Sequence, residues 1–350
     1  SFQRDLKNRG LRDIDGNLII DNSYFLNEYG DPADFDGRGL RVYNVNPDAL
    51  LVNFQAIRFE FIPDPTEGRV RVTADPLPSN LSIENQLQLR KGRCGGYQKG
   101  VSVAVADPVP RDRIILSGRY GSDCAPYGLT RSALTAPAYA YGVFRSLWEE
   151  SGGQLRGQWE LGTADEAAEP FVTVQSPPLS DVIEYVNKFS NNVMARHVFL
   201  TLGAELYGAP ASRKKGRDAA RQVLGSKGLE FPELQLDNGA GLSRDTRISA
   251  ASLGQVLLRA TASPWEAEFV SSLSLTGLDG TMRRRFRDEE LTGRLHLKSG
   301  RLRDVYAAAG YVHARSGKDF VVVILQNYPN ADQGYGEAVQ TALFRWVYEQ

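Results

Sequence analysis

The chain has 350 residues, 42% of them hydrophobic, with 41 Lys+Arg against 42 Asp+Glu and a formal net charge of −1. That length accommodates two or three domains with a sizeable core, and the balanced charge disfavours a nucleic-acid binder, which needs a basic excess. No apolar run approaches the ~20 residues that span a bilayer. Three His and two Cys leave little for a zinc site, which draws most of its ligands from those residue types.

The chain opens on Ser1-Phe2-Gln3, in charged amphipathic sequence without an initiator Met or a signal-peptide pattern, and something upstream is expected to have been removed. Asp13–Ile20 places a turn before a short strand. Ala49–Pro63 carries apolar and aromatic residues at strand density, and Gly68–Thr73 alternates with period two. Prolines at 63, 65, 76, 78, 108 and 110 punctuate these runs and limit their lengths. Residues 1–130 therefore read as a β-rich accessory region. Cys94, in Arg93-Cys94-Gly95-Gly96, and Cys124, after the strand-like Arg113–Tyr120, both sit at turn-rich strand ends. There the Cα atoms can approach to the ~5.5 Å that a disulfide prefers, which would imply an oxidising compartment such as the periplasm. Two buried free thiols are the alternative. No C-x-x-C occurs, so a redox dithiol or zinc knuckle has no support.

From about residue 131 the pattern turns to α/β. Ala138–Glu150 carries a helical stripe of Tyr141, Phe144, Leu147 and Trp148 and stops at Gly152-Gly153. Ser180 is placed as the N-cap of a helix through Lys188, and a second helix runs from Val193 to Leu206 before Gly208. Ser212 and Ser249 are further N-cap candidates, the latter for Ala250–Ala262. Arg294–Ser299, Val305–Val312 and Phe320–Leu325 read as strands. Ala314–Lys318 joins the last two as a hairpin loop, and an amphipathic helix, Glu337–Tyr348, closes the chain. Three strands followed by a packing helix predict an antiparallel sheet covered by helices.

Most catalytic motifs fail. Gly239-Ala240-Gly241 opens no dinucleotide fingerprint, Gly317-Lys318 is followed by Asp319, and neither a G-x-S-x-G elbow nor H-E-x-x-H is present. None of His197, His296 and His313 has a recognisable triad setting, so a serine hydrolase here would use lysine. Two motifs survive: Ser190-Asn191-Asn192 between two helices, and Lys298-Ser299-Gly300 at the end of a strand-like run. They correspond to the second and third elements of the signature set S-x-x-K, S-D-N and K-T-G, with Ser in place of Thr. A Ser hydroxyl bonded to a lysine ammonium relays protons without histidine. Asn192 offers an amide donor and an acceptor to a peptide, and Lys298 with Ser299 suits a substrate carboxylate. Gly300 lets substrate backbone lie against the strand, and the Arg301 N–H is placed to donate to a developing oxyanion. Strict alternation puts Lys298 on one face with His296 and Gly300, and Ser299 on the other with Leu297. Both reach one site only on a twisted edge strand. Taken singly, each tripeptide is also an ordinary helix cap or strand-ending turn.

With these motifs the chain resembles the low-molecular-mass, class C penicillin-binding proteins, the serine-type D-alanyl-D-alanine carboxypeptidase/endopeptidase family. The likeness extends to Ile14–Phe25, Pro47–Phe54, Leu236–Arg244, Gly277–Met282, Arg301–Val305 and Ala309–Val312, in the family's order. It implies an α/β (α+β) transpeptidase/β-lactamase-like domain over 131–350, with antiparallel sheet and helices, and inserted β-rich accessory domains before it. It also implies Ser190 as proton relay, Asn192 as substrate-positioning residue and Lys298-Ser299 as carboxylate holder. The implied partners are peptidoglycan stem peptides and β-lactams, outside the cytoplasm, with no metal or organic cofactor.

One departure stands out. The nucleophile motif S-x-x-K precedes the inserted domains in the family, and is expected upstream of Ser1. The S-x-x-K that this sequence does contain, Ser212-Arg213-Lys214-Lys215, follows Ser190 and reads as a helix cap with a solvated lysine. The chain is thus expected to hold part of an active site, to be inactive alone, and to leave a sheet edge and core uncovered. The rival reading is a non-catalytic peptidoglycan-binding protein that lost its nucleophile. Arg283–Arg287 and Arg213–Arg217 read as solvated faces, Asp237 and Asp245 as turn residues, and His296 as an incidental strand residue.

Overall fold

The computed structural model describes residues 2–94, 100–105, 112–165 and 167–350; Gly95, Gly96, Pro108 and Pro110 lie outside the described residues. The chain divides into two compact units, 1–174 and 175–350.

In the first unit a short helix α1 (Phe2–Asn8) precedes β1 (Asp13–Ile14) and β2 (Leu18–Ile20). Two three-stranded sheets follow. One orders β4 (Arg69–Asp75), β3 (Ile57–Asp64) and β8 (Tyr127–Arg131), all antiparallel. The other orders β5 (Ser82–Arg90), β7 (Arg113–Gly121) and β6 (Val101–Val105), with β5 and β7 parallel. Ile57, Phe59 and Phe61 of β3 alternate inward and are fully buried with Ile114, Leu116 and Tyr139, as the period of two requires. Cys94 and Cys124 form a disulfide, Cα–Cα 4.8 Å, so the free-thiol alternative does not hold.

Helix α2 (Ala136–Glu150) belongs to this first unit, where Tyr139 and Tyr141 pack into two adjoining cores. Of its expected stripe Tyr141 and Trp148 are buried, but Leu147, about 100° around the helix from Trp148, is exposed. Two short parallel pairs, β1 with β9 (Gln154–Leu155) and β2 with β10 (Trp159–Leu161), complete the unit.

The second unit holds α3 (Leu179–Phe189), α4 (Asn192–Tyr207), α5 (Arg213–Ser226), α6 (Ala250–Thr261), α7 (Glu266–Ser272) and α8 (Gly336–Tyr348). A four-stranded antiparallel sheet runs β11 (Ser274–Leu275), β12 (Leu295–Leu302), β13 (Val305–His313), β14 (Asp319–Asn327). Leu295, Leu297, Val312, Ile324 and Phe344 form the core between this sheet and α8. On the other face Tyr311 packs with Leu257 and Leu273 and donates its hydroxyl to the Leu257 carbonyl at 2.8 Å.

Ser212 and Ser249 cap as their sequences predict, accepting from Lys215 N–H at 3.1 Å and Ser252 N–H at 3.0 Å. Ser180 does not: α3 starts a residue earlier at Leu179, directly after Pro177-Pro178, so Ser180 falls inside the first turn. The arginine run is also not uniformly solvated. Arg283, Arg284 and Arg287 are exposed, but Arg285 lies along Phe286 and Phe344 and donates to Gln340 Oε1 at 2.8 Å, fastening α8.

Candidate active site

The site forms where the α3–α4 turn meets β12. Ser190 ends α3 in the left-handed conformation, φ 52°, ψ 48°, at a cost of about 1 kcal/mol for a residue with a Cβ. The capping work that the tripeptide was expected to do falls on its middle member. Asn191 Oδ1 accepts from the N–H groups of Val193 and Met194, both at 3.1 Å, and so starts α4. The Ser190 hydroxyl is therefore not spent on a helix end, nor is the Asn192 amide.

Lys298 crosses to this turn. Its Nζ donates to Ser190 Oγ at 2.7 Å and to the Ser299 carbonyl at 2.9 Å, joining residues 108 positions apart. Burial lowers its pKa from 10.5 to about 8, and no carboxylate among the described residues offsets that desolvation. The ammonium is thus held by two neutral oxygens, a setting that favours a proton donor working near neutrality or an anion arriving from outside.

The strand edge resolves the problem posed by alternation. β11 pairs with β12 only at His296 and Leu297, so β12 lacks a strand partner on this side from Lys298 onward among the described residues. Thr276 N–H donates to the Leu295 carbonyl at 3.1 Å, which fixes the backbone of Leu295 toward this edge. Alternation then turns the backbone of Leu297, Ser299 and Arg301 the same way, so the Arg301 N–H points out of the open edge. Lys298 and Ser299 do leave on opposite faces: Lys298 toward Ser190, and Ser299 Oγ toward Thr281 Oγ1 at 2.9 Å. His296 Nδ1 lies 3.1 Å from the Val270 carbonyl, and its pKa is lowered chiefly by burial, with the charges of Lys188 and Asp279 acting on it in opposite directions.

Ser190, Asn192, Lys298, Ser299, Gly300 and Arg301 all line one cleft of about 910 Å³. Arg244 and Arg247 add positive charge to its described lining, which contains no carboxylate. Its inner wall is apolar, with Leu253, Val256, Leu257, Phe269 and Leu273 facing Ala307 and Ala309 of β13. Ser212 is not part of this lining. Its hydroxyl caps α5, while Lys215 Nζ donates to the Gly208 and Pro210 carbonyls at 2.6 and 2.9 Å. Asp237 pairs with Arg213 at 3.2 Å instead of acting purely as a turn residue.

Two contributors escaped the sequence reading. Asn191 as the actual cap is foreshadowed only by Asn ranking with Ser at N-caps, which leaves three adjacent candidates. Thr281 lies in a segment noted for its resemblance, Gly277–Met282, but nothing local indicates that it bonds Ser299.

The comparisons agree with this geometry. The family model for D-Ala-D-Ala carboxypeptidase 3 (S13) matches residues 1–350. A D-alanyl-D-alanine carboxypeptidase of Actinomadura sp. (strain R39) is 27% identical over 321 residues, covering 88% of this chain and 59% of that protein. The D-alanyl-D-alanine carboxypeptidase DacB of Haemophilus influenzae is 23% identical over 343 residues, 95% of this chain and 69% of that one. The chain thus spans roughly three fifths to two thirds of the length of these relatives. Among solved structures, penicillin-binding protein 4 from Haemophilus influenzae shares the fold, with a TM-score of 0.76 and 22% identity over 97% of this chain and 77% of that one. The same protein complexed with a β-lactam superposes with a TM-score of 0.72 and 20% identity, over 97% of this chain and 76% of that one. A match along the whole sequence, with the serine–lysine cleft in place, settles the family: this chain belongs to the D-Ala-D-Ala carboxypeptidase 3 (S13) family.

Proposed function

We propose that this chain forms most of a serine-type D-alanyl-D-alanine carboxypeptidase that cleaves peptidoglycan stem peptides by acylation and deacylation, and opens cross-links ending in a D-amino acid as an endopeptidase. The observation that carries the proposal is the Lys298 Nζ–Ser190 Oγ hydrogen bond of 2.7 Å at the base of a cationic cleft. In this reading Ser190 relays the proton to the leaving amine and Asn192 orients the peptide. Lys298 and Ser299 hold the terminal carboxylate, and the Arg301 N–H donates to the oxyanion, a contribution worth about 3 kcal/mol per donor. Gly300 keeps the strand edge low enough for substrate backbone; a Cβ there would meet nothing nearer than Ala307 Cβ at 3.5 Å, so the side open to the cleft is otherwise clear.

The nucleophile in this proposal is the serine of an S-x-x-K segment lying before Ser1. The apolar wall of the cleft supports it, since half-buried Leu253, Val256 and Phe269 offer apolar surface on which a further helix face can pack. The first compact unit, 1–174, acts as the inserted accessory region, extending past the expected boundary at 130 because α2 packs into its cores. Residues 175–350 act as the transpeptidase-like part, while β-lactams acylate the same serine. The Cys94–Cys124 disulfide supports an exported, periplasmic setting. No helix among the described residues is long and apolar enough to cross a membrane.

A labelled penicillin tests the assignment. Residues 1–350 alone take up no covalent label, whereas the same chain extended upstream through S-x-x-K is labelled on that serine. A stable adduct on Ser190 or Ser212 overturns the proposed division of roles, and an extended chain that carries S-x-x-K yet stays unlabelled overturns the enzyme.

A further inference from the structure

The Ser190 turn and the β12 edge are joined by a second set of polar contacts that bypasses Lys298. Lys188, two residues before Ser190, donates to Asp279 Oδ2 at 2.6 Å and to the Leu273 carbonyl at 3.1 Å. The other Asp279 oxygen accepts from the Leu275 N–H at 2.7 Å, so the carboxylate is held from both sides. The Lys188 carbonyl accepts from Ser274 Oγ at 3.2 Å, and that hydroxyl accepts from the Thr281 N–H at 3.2 Å. Thr281 Oγ1 then accepts from Ser299 Oγ at 2.9 Å, which closes the path.

There is no slack along it. A Cβ on Gly280, whose φ is +53°, would lie 2.3 Å from Ser274 Oγ and 2.6 Å from the Lys188 carbonyl oxygen. The Lys188 side chain is 13% exposed against 40% for Asp279, so its ammonium depends on these acceptors in place of water. Neither residue lines the cleft, so any influence on the chemistry passes through others.

We infer that Lys188 and Asp279 are positioning residues, whose ion pair locks the strained Ser190 turn to the Thr281–Ser299 edge and so sets the separation across which Lys298 reaches Ser190. This rests on the functional reading above only for its consequence in substrate binding. The locking itself is a property of the fold. A merely structural ion pair would contribute stability and leave the Ser190–Lys298 contact indifferent to its loss.

The test uses the 350-residue chain and two readouts: the NMR titration of the Lys298 side chain, and calorimetric affinity for an N-acyl-D-alanyl-D-alanine. Lys188→Met and Asp279→Asn are expected to raise the Lys298 midpoint from about 8 toward the ordinary lysine value as water enters. They are also expected to weaken the dipeptide about tenfold, with Lys188→Arg restoring most of both. Variants that melt earlier but keep the parental Lys298 titration and affinity overturn the inference. If Lys188→Met does not fold, Asp279→Asn, which keeps an acceptor for the Leu275 N–H, decides the same question. A parent chain that ignores the dipeptide overturns the functional reading, while the Lys298 titration still decides the positioning role.

Discussion

Ser190 and Ser212 stand at corresponding places, each in a turn that leads into a helix and each with a lysine near in sequence or space, yet their hydroxyls have opposite fates. Ser212 Oγ accepts from the Lys215 N–H, and the Lys215 ammonium turns away to two carbonyls at the end of the preceding loop. Ser190 is relieved of capping by Asn191, and its hydroxyl meets an ammonium from a strand far along the chain. A serine becomes chemically available when a neighbour takes over the helix end. The left-handed backbone at Ser190 is the local cost of that arrangement, and the desolvated Lys298 gives it a use.

The contrast is broken most sharply by removing the cation. In the catalytically complete protein Lys298→Ala is expected to lower turnover by about 10²–10⁴, the range for a positioned proton-transfer group. Steady-state hydrolysis of a D-alanyl-D-alanine peptide reads this directly, and a loss below tenfold would remove Lys298 from the relay. Ser190→Ala should follow at about 10²-fold, and it should also lower the melting temperature, because it removes one of the two acceptors of the buried Lys298 ammonium.

The pH dependence is next. A carboxylate ligand needs the Lys298 ammonium, so affinity should be flat below pH 8 and fall by up to about tenfold per pH unit above it. Stability moves the other way. The unfolded chain, with its lysine at the ordinary value of 10.5, binds the proton more readily than the fold does, so stability rises with pH between about 8 and 10.5. Calorimetric binding and denaturant melts over that window check both signs.

Ser212→Ala gives the smallest effect and completes the comparison. It removes one cap bond, worth about 1 kcal/mol, and lowers the melting temperature by ~2–4 °C in a chain of this size. Dipeptide affinity should be unchanged. Any loss of affinity in this variant would mean that Ser212 does more than hold α5.

Legibility followed sequence distance. Caps at Ser212 and Ser249 could be read because donor and acceptor lie three residues apart, and the inward alternation of Ile57, Phe59 and Phe61 because a pleat repeats every two residues. Ser180 misled because Pro177-Pro178 already sets the backbone direction for helix entry, which needs no serine. Arg285 resembled its exposed neighbours, and only the approach of α8 showed that its guanidinium fits over Phe344. The Lys188–Asp279 pair is separated by 91 positions, and no local rule connects the two.

The sequence by itself determined which residue types are present and in what order: a serine–asparagine turn between helices, a Lys-Ser-Gly strand end, scarce histidine and a balanced net charge. Those follow from composition, spacing and local propensity. The tertiary structure decided which hydroxyl is free, because Asn191 rather than Ser190 satisfies the first N–H groups of α4. It also decided that Lys298 and Ser299 serve one cleft from opposite faces, because the pairing of β11 with β12 goes no further than Leu297 and leaves the edge open among the described residues. Both outcomes depend on long-range packing that buries an ammonium against a distant turn, and the energy of such a contact is set in space.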